Sequence, residues 1–210
     1  MRVELRLGSP SEWIRVFDPR DGTLAVNAAP ATAPPMGTAV RVDLICGDGG
    51  PRVILRGQVI GHRGTDVALV GLGPTEREKV NYMNGFVRGG LLNLRASRRL
   101  PVRLAVTYGG LKGAVSTHTR DINDQGVFVL TEEPLPEDAE VHLIIAIPGR
   151  AEPLSVVGRV THTVVPEDDD VAGMGIVFRT SAADAAELAR TIDALEQAFL
   201  TGTLPDDTLA

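Results

Sequence analysis

Residues 38–61 and 139–162 of this 210-residue chain align without a gap at a shift of 101 positions, and this internal repeat constrains the fold more than any other feature. Val40 meets Val141, Gly57 meets Gly158 and Val59 meets Val160. Between them Val42 pairs in kind with Leu143, Leu44 with Ile145 and Leu55 with Val156. The matched apolar residues recur at every second position, the periodicity of a strand with one buried face. Past the gapless stretch, a loop about three residues longer in the second copy, Pro166–Asp170, sets Val70–Leu72 against Met174–Ile176.

Each copy runs on into a helical pattern. The first opens at Pro74, a residue suited to the first turn because its missing N–H is not needed there. It carries Val80, Met83 and Val87 on one face and is predicted to stop at Gly89-Gly90. The second opens at Ser181, with Asp184 three residues on, and aligns Leu188, Ile192, Leu195 and Phe199 on one face. Further alternation at Val102–Val106 and Val127–Leu130, and turn clusters at Asp21-Gly22, Gly47–Pro51, Gly109-Gly110 and Pro148-Gly149, belong to a β protein. The pattern predicts a mainly β chain built as two β-barrel units, each followed by a C-terminal α-helix. The expected layout is residues 1–90 for the first unit, 91–97 for a linker, 98–200 for the second unit and 201–210 for a flexible tail.

With 43% hydrophobic residues, there is enough apolar material to pack two such cores. No apolar run approaches the roughly 20 residues needed to span a bilayer, so membrane insertion is not expected. The first residues, Met1–Gly8, are too charged for a signal peptide, and Cys46 is the single cysteine. A reducing cytoplasmic location is the simplest expectation. The net charge of −6 argues against general nucleic-acid binding, but its distribution is uneven. Between Glu78 and Asp121 there is no acidic residue and eight basic ones, Lys79, Arg88, Arg95, Arg98, Arg99, Arg103, Lys112 and Arg120. The rest of the chain holds 13 basic against 27 acidic groups. A basic island in an acidic chain fits a site for a compact anion.

Within the island, Arg98-Arg99-Leu-Pro-Val-Arg103 leads into a strand, and Pro101 favours an extended approach. Arg99 and Arg103 then project toward one ligand, with guanidinium forks suited to phosphate oxygens or a guanine O6/N7 edge. Some twenty residues on comes Asp121-Ile-Asn123-Asp-Gln-Gly126, a polar turn before a strand. Asp121 offers acceptors for a guanine N1–H and amino group, Asn123 both donates and accepts, and Gly126 allows close backbone approach. Read alone, this second segment has the composition of an ordinary hairpin turn.

Together the two segments resemble the PilZ domain, the bacterial receptor module for cyclic di-GMP. Arg99-Leu-Pro-Val-Arg103 fits the family's RxxxR motif, and Asp121 to Gly126 fits its (D/N)xSxxG motif except that Asn123 stands for the serine. The similarity runs on through Gly175-Ile-Val-Phe178 to the closing helix, covering roughly residues 95–200. The resemblance implies a six-stranded antiparallel barrel with cyclic di-GMP as ligand and no cofactor. Arg99 and Arg103 would be its arginines, Arg98 their support, and Asp121, Asn123 and Gly126 its surface on the barrel. It also implies a receptor or adaptor acting on motility or surface polysaccharide through a protein effector, and is compatible with a homodimer. The alternative is a PilZ-like scaffold that binds partners constitutively. The first copy lacks the motif pair: Arg2-Val-Glu-Leu-Arg6 has the spacing, but its alternation reads as a plain strand. It is read as a degenerate barrel.

His62, His118, His142 and His162 lack zinc-ligand spacing, and Gly71-Leu-Gly73 lacks the later glycine of a nucleotide loop. No nucleophile stands beside a base, so neither an enzyme nor a metal site is expected.

Overall fold

The computed structural model describes residues 1–18, 20–27, 34–46, 52–88, 99–165 and 171–209; for Pro10 and residues 85–88 only the backbone is described. The expected linker, Arg98, the Gly89-Gly90 stop, the Gly47–Pro51 turn and the Pro166–Asp170 loop therefore lie outside the described residues.

In the first unit β1 (Arg2–Leu7) is followed by the short helix α1 (Pro10–Val16), β2 (Phe17–Asp18) and β3 (Thr23–Asn27). Then come β4 (Ala39–Cys46), β5 (Arg52–Arg63), β6 (Val67–Leu72) and helix α2 (Pro74–Arg88). The second unit has β7 (Ala105–Gly110), β8 (Gly113–Ile122), β9 (Gly126–Leu130), β10 (Glu140–Ile145), β11 (Leu154–Val164) and β12 (Gly173–Arg179). Helix α3 (Ala182–Thr201) closes the series.

The repeat holds at the level of hydrogen-bond register. Val40 pairs with Gly57 and Val42 with Leu55 in β4–β5, as Val141 pairs with Gly158 and Leu143 with Val156 in β10–β11. Even the irregularities match: β5 bulges at Ile60 and β11 at Thr161, again 101 residues apart. The final strands correct the sequence alignment. Leu72 sits opposite Gly57 and Phe178 opposite Gly158, so Leu72 matches Phe178 rather than Ile176. Three residues separate β5 from β6 and eight separate β11 from β12, so the second loop is five residues longer, not three. A slip of two leaves every side chain on its own face, which is why apolar alternation could not reveal it.

The second sheet closes into a barrel in the order β10-β11-β12-β9-β8-β7, with β7 returning to β10 at Tyr108 and Leu143. Val106, Ile122, Val127, Val129, Leu143, Ile145, Val160 and Ile176 fill its interior. The first sheet has six strands in the order β1-β4-β5-β6-β3-β2 but stays open, which departs from the expectation of two antiparallel barrels. The cause is local. Where the second unit runs β7 into β8 through a hairpin, the first places α1, begun at Pro10, between β1 and a β2 of two residues. β1 consequently pairs parallel to β4, and β2 is too short to reach back to it.

The parallel β1–β4 edge gives Arg2 its role. Arg2, Arg41 (2.9 Å) and Arg52 (3.5 Å) converge on the Asp43 carboxylate, which is wholly covered. Burial by itself would raise this carboxyl, but hydrogen bonds from Arg41 and Arg2, with their charges, outweigh it and hold Asp43 below the ordinary 3.8. Arg6 instead pairs with its neighbour Glu4 at 2.8 Å, so the Arg2/Arg6 spacing belongs to a strand, as its alternation indicates.

Both helices form where expected. Val80 and Met83 on α2 are buried, and Ser181 accepts the Asp184 N–H (3.3 Å) at the start of α3. The division into compact units differs from a simple cut near residue 97. Met1–Leu94 and Gln197–Thr203 form one unit; Arg95–Glu196 and Leu204–Ala210 form the other. Phe199, near the end of α3, meets Tyr82 edge-on at 5.7 Å. Residues expected as a loose tail include a 3₁₀ turn at Asp206–Thr208, and Leu209 bridges to Val102. Backbone pairing, which the sparse pattern of those residues does not announce, orders them.

Asp43→Asn is expected to lower the unfolding free energy at pH 7 by about 2 kcal/mol, the cost of losing charge-assisted hydrogen bonds at a covered site. Because the folded-state value is depressed, the stabilisation is complete above 3.8 and fades as pH falls toward the folded value. Urea titrations of both proteins at pH 7 and pH 3 should show the gap narrowing at the lower pH.

Candidate functional site

The residues from Arg99 to Leu104 form an extended lead-in to the barrel. Leu100, Val102 and Leu104 point inward and are buried, so Arg99, Pro101 and Arg103 share the outward side. Leu100 exchanges backbone hydrogen bonds with Ile122 at 2.7 and 3.1 Å, seating the segment against the end of β8. Thr119, also buried, ties down the remainder of the lead-in. Its hydroxyl donates to the Val102 carbonyl (2.6 Å) and accepts the Leu104 N–H (2.9 Å), and its own N–H donates to the Leu104 carbonyl (2.9 Å).

β8 carries a bulge between Thr119 and Asp121. Strict alternation would send Asp121 inward with Thr119. The extra residue instead leaves Thr119 and Ile122 facing the core and turns Arg120 and Asp121 together toward the outside. Asp121 then binds two guanidiniums: Oδ1 accepts Arg99 Nη1 at 3.0 Å, and Oδ2 accepts Arg120 Nε at 2.9 Å. The first arginine of one motif and the acid of the other thus meet across 22 residues of sequence.

The Arg120 guanidinium carbon also lies over Phe128, 3.7 Å from the ring centroid, within cation–π range. The strand register extends this into a row across four strands: Asp121 opposite Phe128, Phe128 opposite Gly175 and Gly175 opposite His162. The His162 ring lies 5.8 Å from that of Phe128 and passes directly over Gly175, where a side chain would collide with it. The outer face therefore has a partly aromatic floor, the Phe128 ring covered by Arg120 and the exposed His162 ring tilted against it, beside a carboxylate and two arginines.

The turn beside this floor is held by Asn123. Its Oδ1 accepts the N–H of Gln125 (3.0 Å) and of Gly126 (2.8 Å), and the side chain is buried. At this position the asparagine shapes the backbone in the manner of an Asx turn. Gly126 packs so closely on β12 that a Cβ would run into the Ile176 carbonyl oxygen.

The structure thus gathers Arg99, Asp121, Asn123 and Gly126 at one end of the barrel, with Arg103 exposed on the same side of the lead-in as Arg99. Arg98 lies outside the described residues. The basic island does not act as one patch. Lys79 is buried in the first unit against Glu76 at 3.1 Å, and Lys112 pairs with Glu133 at 2.6 Å. Phe128 and His162 are not legible as site residues in the sequence, because a strand phenylalanine and an isolated histidine carry no ligand signal until register sets them side by side. Arg120 is visible there only as charge. Among the described residues there is no group of three or more His, Cys, Asp or Glu able to hold a metal. Nor is any described helix long and apolar enough to cross a membrane.

A closed six-stranded barrel with a C-terminal helix, and an RxxxR lead-in held to a D-x-N-x-x-G turn, defines a class. Residues 93–194 match the family model of the PilZ domain. Among solved structures, the chain is similar to the PilZ domain of CeSA from a cellulose-synthesizing bacterium. That match is 20% identical, covers 47% of this chain and 98% of that one, and has a TM-score of 0.38. The Bacillus subtilis inhibitor of motility MotI/DgrA is 12% identical, covers 83% of each chain and has a TM-score of 0.39. The K. pneumonia MrkH–c-di-GMP complex is 12% identical, covers 84% of this chain and 76% of that one, and has a TM-score of 0.35. No curated protein matches the chain.

Gly126→Val should destabilise the protein by about 3 kcal/mol, since the new side chain must displace strand backbone. The loss is read from the shift in denaturant midpoint. An unchanged midpoint would mean that β9 and β12 are not held in this close contact.

Proposed function

We propose that the second unit is a receptor for cyclic di-GMP and that its outer face at Asp121 is where the ligand sits. The observation that carries this reading is the ion pair of Arg99 with Asp121, which brings the two motif segments onto one surface. Both partners have the chemistry the ligand needs. Arg99 and Arg103 donate in pairs to phosphate oxygens or to a guanine O6/N7 edge. The Asp121 carboxylate accepts from a guanine N1–H and amino group, and Gly126 lets the turn beside it pack closely on β12. Arg99 and Asp121 satisfy one another in the ion pair. Binding exchanges that pair for phosphate on the arginine and guanine on the acid, so neither charge is left without a partner. Arg120 over Phe128 supplies a flat cation beside the site on which a purine can stack. Arg98, next to Arg99, adds a further cation.

The receptor is read as a non-enzymatic cytoplasmic adaptor. Its response to the ligand is passed to a protein effector that controls motility or surface polysaccharide, rather than to nucleic acid, which an acidic chain of net charge −6 disfavours. A second reading has its own support: Asn123 stands where the family motif has serine, and its Oδ1 is occupied by the turn. On that reading the unit is a PilZ-like scaffold that binds its partner without ligand.

Calorimetric titration of the full chain with cyclic di-GMP separates the two. Saturable binding that weakens at least about a hundredfold in Arg103→Ala, the loss of a bidentate charge-assisted contact, is the expected result. Absence of heat and of thermal stabilisation at high ligand would leave the scaffold.

A further inference from the structure

We propose that the first unit carries a second, separate anion site, a pocket for a small phosphorylated molecule on the outer face of its open sheet. The proposal does not depend on ligand binding by the second unit. The pocket encloses about 370 Å³, at the lower end of the size range for small-molecule sites and suited to one phosphate with one ring attached. Arg15 from α1, Arg20 from the β2–β3 turn and Arg63 from the end of β5 line it, so three separate elements each contribute a guanidinium.

The repeat explains why there is space. Ala25 pairs with Leu69 and Leu69 with Gly61, as Phe128 pairs with Gly175 and Gly175 with His162. The floor that Phe128 and His162 fill in the second unit is therefore vacated in the first by Ala25 and Gly61. Ala25 and Leu69 form the base of the pocket, and Ile14 lies at its edge with 72% of its surface exposed. An exposed isoleucine beside arginines gives the non-ionic part of a ligand an apolar wall.

The charges are arranged for an added anion. Asp18 also lines the pocket, but its Oδ1 accepts the Arg20 N–H at 2.9 Å and so is engaged in shaping the turn. Asp21 likewise accepts from the Thr23 N–H (2.9 Å) and hydroxyl (2.6 Å). Those bonds, with a smaller contribution from the Arg63 charge, hold its carboxyl below 3.8. Among the described residues, none of the three arginines has an ion pair, whereas Arg2, Arg41, Arg52 and Arg99 elsewhere in the chain each have a carboxylate partner. Guanidiniums from three elements around one cavity recognise phosphate through several N–H donors at once, with a specificity that a single surface arginine lacks.

The test uses the full chain carrying Arg103→Ala, so that the second unit's candidate site does not contribute. Guanosine 5′-monophosphate and inorganic pyrophosphate are titrated separately while NMR follows the arginine Nε–H signals and the backbone amides of Thr23, Ala25 and Leu69. Saturable shifts at Arg15, Arg20 and Arg63 are expected with at least one probe, and affinity should fall at least about tenfold in Arg20→Ala and in Arg63→Ala. Ala25→Phe, which restores the bulk found at residue 128, should abolish binding while leaving all three arginines in place. If neither probe gives saturable shifts at these signals, or if shifts persist unchanged in Ala25→Phe, the pocket is not a phosphate site. The shift map of the parent chain decides the question even if a variant fails to fold.

Discussion

A sheet of six strands closes on itself only if some strands bend sharply, and in the second unit the bends fall at single extra residues. The bulge at Arg120 is the one on which the site depends. It lets β8 curve around the barrel, and it breaks the in–out alternation at the one point where two polar side chains must emerge together. Without it Asp121 would point into a core of Val106, Val127 and Val129, and Arg99 would have no partner. Thr119, the residue before the bulge, ties the lead-in to the barrel through three hydrogen bonds. Barrel curvature and the meeting of the two motifs are consequences of one backbone irregularity.

The two units show how one pattern gives two outcomes. Their central hairpins agree in register and in the position of a bulge, yet one sheet closes and the other does not. The difference arises at the start of each unit, where a hairpin in one is replaced by α1 in the other. A parallel β1 places Arg2 over β4, and Asp43 can then be buried because three arginines surround it. The same replacement brings Arg15 onto the outer face beside Ala25. The first unit therefore repeats the central hairpin of the second but differs from it in how its sheet begins and in its surface chemistry.

Charge counted along the chain is a partial guide. The run from Lys79 to Arg120 holds eight basic residues and no acid, but folding distributes them. Lys79 is consumed by Glu76 in a buried pair, Lys112 pairs at the surface, and Arg99 and Arg120 share Asp121, which lies just beyond the run. The arginine pocket of the first unit, in contrast, leaves no mark in the sequence, since Arg63 is distant from Arg15 and Arg20 and each has acids nearby in the chain.

What the sequence determined by itself is everything with a short period: the alternating strands, the two helices, the repeat of the central hairpin and the spacing of the two motifs. These are properties of neighbours, set by which side of a strand or helix a residue occupies. The tertiary structure decided what depends on pairing at a distance. Apolar alternation has a period of two, so it is blind to a register slip of two residues, and the true match of Leu72 with Phe178 came only from cross-strand hydrogen bonds. Alternation is equally silent about where a bulge falls, and so about the row of Asp121, Phe128, Gly175 and His162. Closure of one sheet and not the other rests on whether a first strand can return to its partner, a property of the whole chain path rather than of any segment.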